Sequence, residues 1–180
     1  MRILLMMPPL PPGRVEVGEM HTRFFPPLGL GYLAAILEDL GHEVVIMDQY
    51  RRTWEETVAT LDGLRFDLVG LTCLSPSREA VHRIVRWMAR RWPGVPIVLG
   101  GPYATFFAEM LAEELPIAAV VMGDAEGTIG ELVSALGEGR ALDDVKGVVF
   151  YRDGQSHRTQ RRPLIDDLDT IPFPAHHLFH

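Results

Sequence analysis

The chain has 180 residues and a mass of 20.2 kDa; at roughly 100–200 residues per domain this leaves room for one well-packed domain with a short appendage and argues against two. Hydrophobic residues make up 47% and charged residues 23%, the balance of an ordinary globular protein, which excludes a disordered or collagen-like chain. The formal charge of −7, from 24 acidic against 17 basic side chains, repels a phosphate-coated partner and counts against nucleic acid.

Cys73 is the single cysteine. It excludes an intrachain disulfide and an all-cysteine metal site, and it fits a reducing, cytoplasmic compartment. The apolar run at residues 3–7 is too short for a signal-peptide core or a membrane span, so no membrane partner is expected.

The first element is RILLMM, a short apolar run stopped by Pro8 and Pro9, as suits a central strand covered on both faces. Residues 8–27 hold prolines and glycines without a helical period, a long loop of the kind that binds ligands. In residues 28–40, Leu30, Leu33, Ala34, Leu37 and Leu40 recur at helical spacing and Gly41 supplies a left-handed stop. EVVIM at 43–47 is a second strand, followed by a short helix over 53–61 that Thr53 can cap.

The rhythm repeats. Residues 67–74 (DLVGLTCL) read as a strand, and 77–91 as a helix with Val81, Ile84, Val85 and Met88 on one side and Arg78, Glu79, Arg83, Arg86 and Arg90 on the other. Residues 96–99 are a fourth strand ending in Gly100 and Gly101, and 103–114 are helical. Residues 118–122 are a fifth strand ending in Gly123, and 125–136 form a helix stopped by Gly137 and Gly139. Strands and helices in alternation imply an α/β fold: a flavodoxin-like, doubly wound parallel sheet in the order 2-1-3-4-5, with ligands at the carboxyl ends of the strands.

After the fifth helix the period changes. Residues 147–151 and 156–160 flank Asp153-Gly154, the signal for a small C-terminal antiparallel hairpin on one sheet edge. The stretch from Pro163 onward, with Pro172 and Pro174, has no sustained period and reads as a connecting segment. The expected division is 1–140 for the α/β domain, 141–162 for the hairpin appendage and 163–180 for a linker, as in a fragment of a longer chain.

Function in this architecture is decided at strand ends. A receiver domain needs acidic residues after the first strand and a phosphate-accepting aspartate after the third; here those places hold Met7-Pro8-Pro9 and Thr72-Cys73-Leu74. A flavodoxin phosphate loop needs backbone N–H donors, which prolines lack. Gly29-Leu30-Gly31-Tyr32-Leu33-Ala34 matches G-x-G-x-x-A with Asp48 at a plausible distance. That fingerprint must join a strand directly to a helix, however, and Phe25-Pro26-Pro27 stands where the strand should be; glycines that allow close helix–sheet packing are the plainer reading.

The ends of strands three, four and five are TCLSPS, GGPYAT and GDAEGT, all small, polar and side by side on one sheet edge. Gly70, Gly100, Gly101, Gly123 and Gly127 remove side-chain bulk, so a long, polar-tailed cofactor can lie against the backbone. Taken singly, each has an ordinary reading: Ser75 or Ser77 as a helix cap, Gly101-Pro102 as a turn, Asp124 as a cap.

Taken together, PPLGLGYLAAILEDLGHEVVIMD, DLVGLTCLSPS, IVLGGPYAT and VVMGDAEGTIGELV, followed by the KGVVFYRDG hairpin and DLDTIPFP, closely resemble the N-terminal cobalamin-binding domain of cobalamin-dependent radical S-adenosylmethionine enzymes. That group includes methyltransferases and the anaerobic magnesium-protoporphyrin ester cyclase type. The resemblance implies that Thr72, Leu74 and Ser75 border the nucleotide tail of cobalamin. It implies that Gly100, Gly101, Pro102 and Thr105 line the tail groove and that Gly123, Asp124, Glu126 and Gly127 meet it nearby. Pro9 and Leu10 belong to the loop that would face the corrin. Gly101→Leu is expected to fill the groove.

Two departures matter. The pattern D-x-H-x-x-G, whose histidine replaces the benzimidazole on cobalt, is absent; the loop histidine is His21, which lacks an aspartate partner to fix its tautomer. An unligated lower face is therefore expected, with His21 the one alternative cobalt ligand. The three-cysteine run that holds an iron–sulfur cluster is also absent. Cys73 reads as a small buried hydrophobe, and His176, His177 and His180 fall in the linker.

The resemblance thus implies cobalamin as cofactor and a radical S-adenosylmethionine domain in cis, which would carry a 4Fe–4S cluster and S-adenosylmethionine. The chain alone would bind and not turn over. Two rivals stay open on the sequence: a nucleotide-dependent enzyme using residues 29–34, and a cofactor-free, receiver-like interaction module docking through its arginine-rich third helix.

Overall fold

The computed structural model describes residues 1–10, 26–50 and 52–179. Seven strands and six helices follow in the order β1 (Arg2–Met7), α1 (Leu28–Asp39), β2 (Glu43–Asp48), α2 (Trp54–Asp62), β3 (Leu68–Thr72), α3 (Arg78–Arg91), β4 (Ile97–Gly100), α4 (Pro102–Phe106), α5 (Ala108–Glu114), β5 (Ala119–Val121), α6 (Ile129–Glu138), β6 (Val148–Arg152) and β7 (Gln155–Arg158). Short 3-10 turns lie at Ser75–Ser77, Leu168–Thr170 and His176–Leu178.

The sheet has the order β2-β1-β3-β4-β5-β6-β7. The first five strands are parallel and the hairpin adds to the β5 edge in antiparallel fashion, with Val120 opposite Val149. The doubly wound order with a C-terminal hairpin is the one its sequence suggests. At the hairpin tip Asp153 and Gly154 both take positive φ, 53° and 83°, as a two-residue turn between right-twisted strands requires.

Side-chain alternation along the strands builds two layers. Ile3 and Leu5 of β1 and Leu68 of β3 pack with α1 and α6 on one face. Leu4, Met6, Val69 and Leu71 pack with α2, α3 and α5 on the other. Ile3, Leu4, Leu5 and Met6 are all at most 1% exposed, and full burial of each such side chain contributes on the order of 1.5–3 kcal/mol. That explains why β1 reads as an unbroken apolar run.

Helix ends follow local chemistry. Thr53 Oγ1 accepts from the Glu56 N–H at 3.2 Å while Glu56 Oε2 accepts from the Thr53 N–H at 2.8 Å, a reciprocal cap on α2. Gly41 and Gly139 stop α1 and α6 at φ +82° and +66°.

Three details differ from the sequence expectations. Helix α6 runs through Gly137 and stops only at Gly139. It also begins later than residue 125, because Ala125 O closes a turn onto the Thr128 and Ile129 N–H groups at 2.9 and 2.8 Å. The single helix expected over 103–114 is divided at Phe107, whose φ of −119° and ψ of 31° leave the helical region; its ring lies 4.6 Å from that of Tyr103.

Residues 174–179 dock on α1. The Ala175 N–H donates to Gly31 O at 3.0 Å, and Ala175 is buried in the same layer as Leu30 and Ala34. A Cβ on Gly31 would stand 2.8 Å from Phe179 Cζ and 3.0 Å from Pro174 Cβ. Gly31 therefore serves close packing, against this tail segment rather than against the sheet.

Candidate functional site: a trough at the carboxyl edge of the sheet

Leu5, Gly70 and Val98 stand side by side across β1, β3 and β4, and Thr72 stands beside Gly100 one pleat further on. All belong to the sheet face covered by α1 and α6. Gly70 leaves its space to the Leu5 side chain, whereas the space above Gly100 is open, and a hollow lies there between the sheet and the two helices. Its volume is about 550 Å³, within the roughly 300–1,000 Å³ usual for small-molecule sites.

The floor is Leu5, Gly70, Val98, Gly100 and Val121; the helix walls are Leu28, Gly29, Leu30 and Leu33 of α1 and Ile129 of α6. The carboxyl-edge rim is Met7, Pro27, Thr72, Leu74, Gly101, Pro102, Thr105, Phe106, Gly123, Asp124, Ala125 and Glu126. The lining is apolar at depth, and the edge mixes the apolar Met7, Leu74 and Phe106 with the polar Thr72, Thr105, Asp124 and Glu126.

Glycine has a distinct role at each position. A Cβ on Gly100 or on Gly123 would meet nothing within 4 Å, so these residues leave space that a ligand can enter. Gly101 has φ +92°, and a Cβ there would stand 3.1 Å from the Cys73 carbonyl oxygen; it permits a tight turn as well as facing the hollow. Gly70 gives room to Leu5, whose Cδ2 would lie 2.9 Å from an added Cβ.

The rim is tied by hydrogen bonds. The Cys73 N–H donates to Gly100 O at 2.7 Å and the Tyr103 N–H to Cys73 O at 3.1 Å, joining the exits of β3 and β4. Thr105 Oγ1 donates to Gly101 O at 3.1 Å and accepts from the Gly123 N–H at 3.0 Å. Ser77 Oγ accepts from the Leu74 N–H and donates to Leu74 O, both at 3.1 Å, closing the turn after β3. Cys73 is fully buried, and burial pushes its thiol up to about 11; it is an inert core group, as its apolar surroundings in the sequence suggested.

Of the residues implied by resemblance, Thr72, Leu74, Gly100, Gly101, Pro102, Thr105, Gly123, Asp124 and Glu126 come together on the hollow. Pro9, Leu10, Ser75 and Gly127 do not line it. Pro9 is buried beyond the end of β1, and the Leu10 N–H donates to Tyr50 O at 3.4 Å. Ser75 is exposed and offers its carbonyl to Arg78 at 3.5 Å. A Cβ on Gly127 would stand 2.9 Å from Arg162 Cδ, so that glycine makes room for an arginine of the segment after the hairpin. His21, His180 and residues 11–25 of the long loop lie outside the described residues.

Sequence reasoning missed the two helix walls and the strand residues Leu5, Val98 and Val121. The period-2 pattern was the available signal: the strand residues on the face of Gly70 and Gly100 are the ones that form the floor. Among the described residues no group of three or more His, Cys, Asp or Glu could hold a metal ion; His177 Nε2 instead lies 3.1 Å from Glu38 Oε1. No helix of the described residues is long and apolar enough to cross a membrane.

The rival sites fare differently. Residues 29–34 lie on α1, which follows Pro27 and not a strand, so the dinucleotide fingerprint lacks its strand–turn–helix setting. The arginine side of α3 lies on the opposite face of the sheet from the trough. There Arg83 stacks over Trp54 at 3.8 Å, and burial with the nearby Arg86 lowers the pKa of His82.

A doubly wound domain with an open trough along the carboxyl ends of β3, β4 and β5 is the class defined by this geometry. Residues 22–133 match the B12 binding domain family, and the chain belongs to it. It is 33% identical over 99% of its length to an uncharacterised methyltransferase of Pyrococcus horikoshii, covering 39% of that protein. It is 32% identical over 94% of its length to the anaerobic magnesium-protoporphyrin IX monomethyl ester cyclase of Synechocystis, covering 34% of it. The chain thus spans a little over a third of the length of these curated relatives. Its fold matches that of the radical S-adenosylmethionine methyltransferase TsrM of Kitasatospora setae, solved with cobalamin and a 4Fe–4S cluster bound. The TM-score is 0.72 at 24% identity, covering 96% of this chain and 31% of that one.

Proposed function

We propose that this chain holds cobalamin with its nucleotide tail in the trough between the sheet and helices α1 and α6, without a protein ligand on the lower face of cobalt. The observation that carries the reading is Gly100. This central-strand position carries no side chain on the face toward α1 and α6, and the hollow beside it opens on the sheet edge where ligands of this architecture lie. A Cβ on Gly100 would meet nothing within 4 Å, which leaves room for a flat nucleotide base to approach the backbone.

In this reading Val98, Val121, Leu30 and Ile129 give apolar contact to the base. Thr72, Leu74, Gly100, Gly101, Pro102, Thr105 and Gly123 border the tail, with Ser75 and Gly127 just outside it. Asp124 and Glu126 stand where the tail leaves the hollow, and Pro9 and Leu10 lie on the corrin side. Bound cobalamin supplies a cobalt centre that can carry a methyl group. The chain's own part is to bind, to orient and to keep water from the buried tail.

In the whole protein this module would serve a radical S-adenosylmethionine domain in cis, of methyltransferase or cyclase type, and the cluster and S-adenosylmethionine would be held there. The relatives of both types motivate this assignment. The test is incubation of the purified protein with hydroxocobalamin and, separately, with NAD, followed by gel filtration. Corrin absorbance that travels with the protein supports the proposal; retained NAD without corrin overturns it.

A further inference from the structure

The parallel pairing of β4 with β5 is short, Val98 with Ala119 and Leu99 with Val120. The pairing ends at Leu99 and Val120, and the exits at Gly101 and Gly123 both belong to the trough rim. The β3 and β4 exits are held together by backbone hydrogen bonds through Cys73, and the Met122 N–H ties the β5 exit outward to Gly147 O at 2.8 Å. Between the β4 and β5 exits, among the described residues, the recorded bridge is one side chain. Thr105 Oγ1 donates to Gly101 O at 3.1 Å and accepts from the Gly123 N–H at 3.0 Å.

Both partners are glycines at positive φ, +92° and +71°, so neither exit is stiffened by its own side chain. The Thr105 hydroxyl has spent its only proton on Gly101. It can give a ligand at most its remaining lone pair.

We infer that Thr105 is a positioning residue, a latch that sets the width of the trough between the β4 and β5 loops and thereby selects corrinoids that carry a nucleotide tail over those that lack one. The inference rests on the proposed seating of that tail in the trough. A latch acts only on what enters the space it frames, so its loss should weaken binding of a complete cobalamin and leave unchanged the binding of cobinamide, the corrinoid without a nucleotide.

The experiment measures the affinities of hydroxocobalamin and dicyanocobinamide for the wild-type protein, Thr105→Val and Thr105→Ser, with the Gly123 amide exchange rate read by NMR. Valine keeps the shape and removes both hydrogen bonds; serine keeps the hydroxyl. The expected result is a loss of roughly tenfold or more in cobalamin affinity for Thr105→Val, recovery in Thr105→Ser, equal cobinamide affinity in all three, and faster Gly123 exchange in the valine protein alone.

Equal losses for both corrinoids, or no loss for either, overturn the latch while leaving the tail seating intact. A wild-type protein that holds cobinamide as tightly as cobalamin overturns the tail seating itself. If Thr105→Val does not fold, the wild-type Gly123 amide decides: slow exchange that slows further with cobalamin and not with cobinamide supports the latch, and fast exchange in the free protein overturns it.

Discussion

The backbone of Gly101 is pressed against that of Cys73: a Cβ on Gly101 would stand 3.1 Å from the Cys73 carbonyl oxygen and 3.3 Å from its nitrogen. Gly101 also has φ +92° and ψ 175°, a region that glycine alone enters at low cost. Substitution here therefore tests the fold more than the ligand, which changes the meaning of the Gly101→Leu replacement suggested by the sequence. Gly101→Ala is expected to lower the free energy of unfolding by about 1–3 kcal/mol, measured by urea denaturation. An unaltered midpoint would contradict the strained turn.

Gly100→Leu is the cleaner probe of the trough. Nothing lies within 4 Å of the Cβ that it adds, and its strand face is the one lined by Val98 and Val121. The variant is expected to melt like the wild type while losing at least about tenfold in cobalamin affinity. Full affinity in a folded Gly100→Leu protein would place the tail elsewhere.

The Cys73 thiol supplies a pH prediction. Burial raises it from the ordinary 9.0 to about 11, so the folded protein keeps a proton that the unfolded chain releases first. The stability linked to this group is constant below about pH 9 and is lost as pH rises through about 11. Chemical denaturation at pH 8 and pH 10.5 is expected to show the decline, and Cys73→Ala to reduce it. A thiol reagent at pH 8 is expected to label Cys73 only after unfolding.

Gly31→Val is expected to detach the 174–179 segment from α1, because its Cβ would collide with Phe179 and Pro174. Limited proteolysis should then cut that segment faster than in the wild type, with the sheet domain left whole. Equal cleavage rates would mean that the contact contributes little.

The fold was legible where chemistry is local. The apolar run of β1, the left-handed stop at Gly41, the Thr53–Glu56 cap and the Asp153-Gly154 turn each follow from neighbours within a few residues. The division at Phe107 was not, since residues 103–114 contain no glycine or proline to signal it. The rim of the trough could be read because strand ends in a parallel sheet fall on one edge; its walls could not, because the stand-off of α1 and α6 from the sheet is a product of packing. Gly127 and Gly31 make the same point. Their partners Arg162 and Phe179 lie far along the chain, and no local pattern announces them.

A crystal structure of the protein grown with hydroxocobalamin decides whether the hollow over Gly100 receives the nucleotide tail. Electron density for the benzimidazole is expected between α1 and α6, over Gly100, with the corrin outside the carboxyl edge. A corrin bound with its base folded back onto cobalt, and the trough holding only solvent, would refute the tail seating.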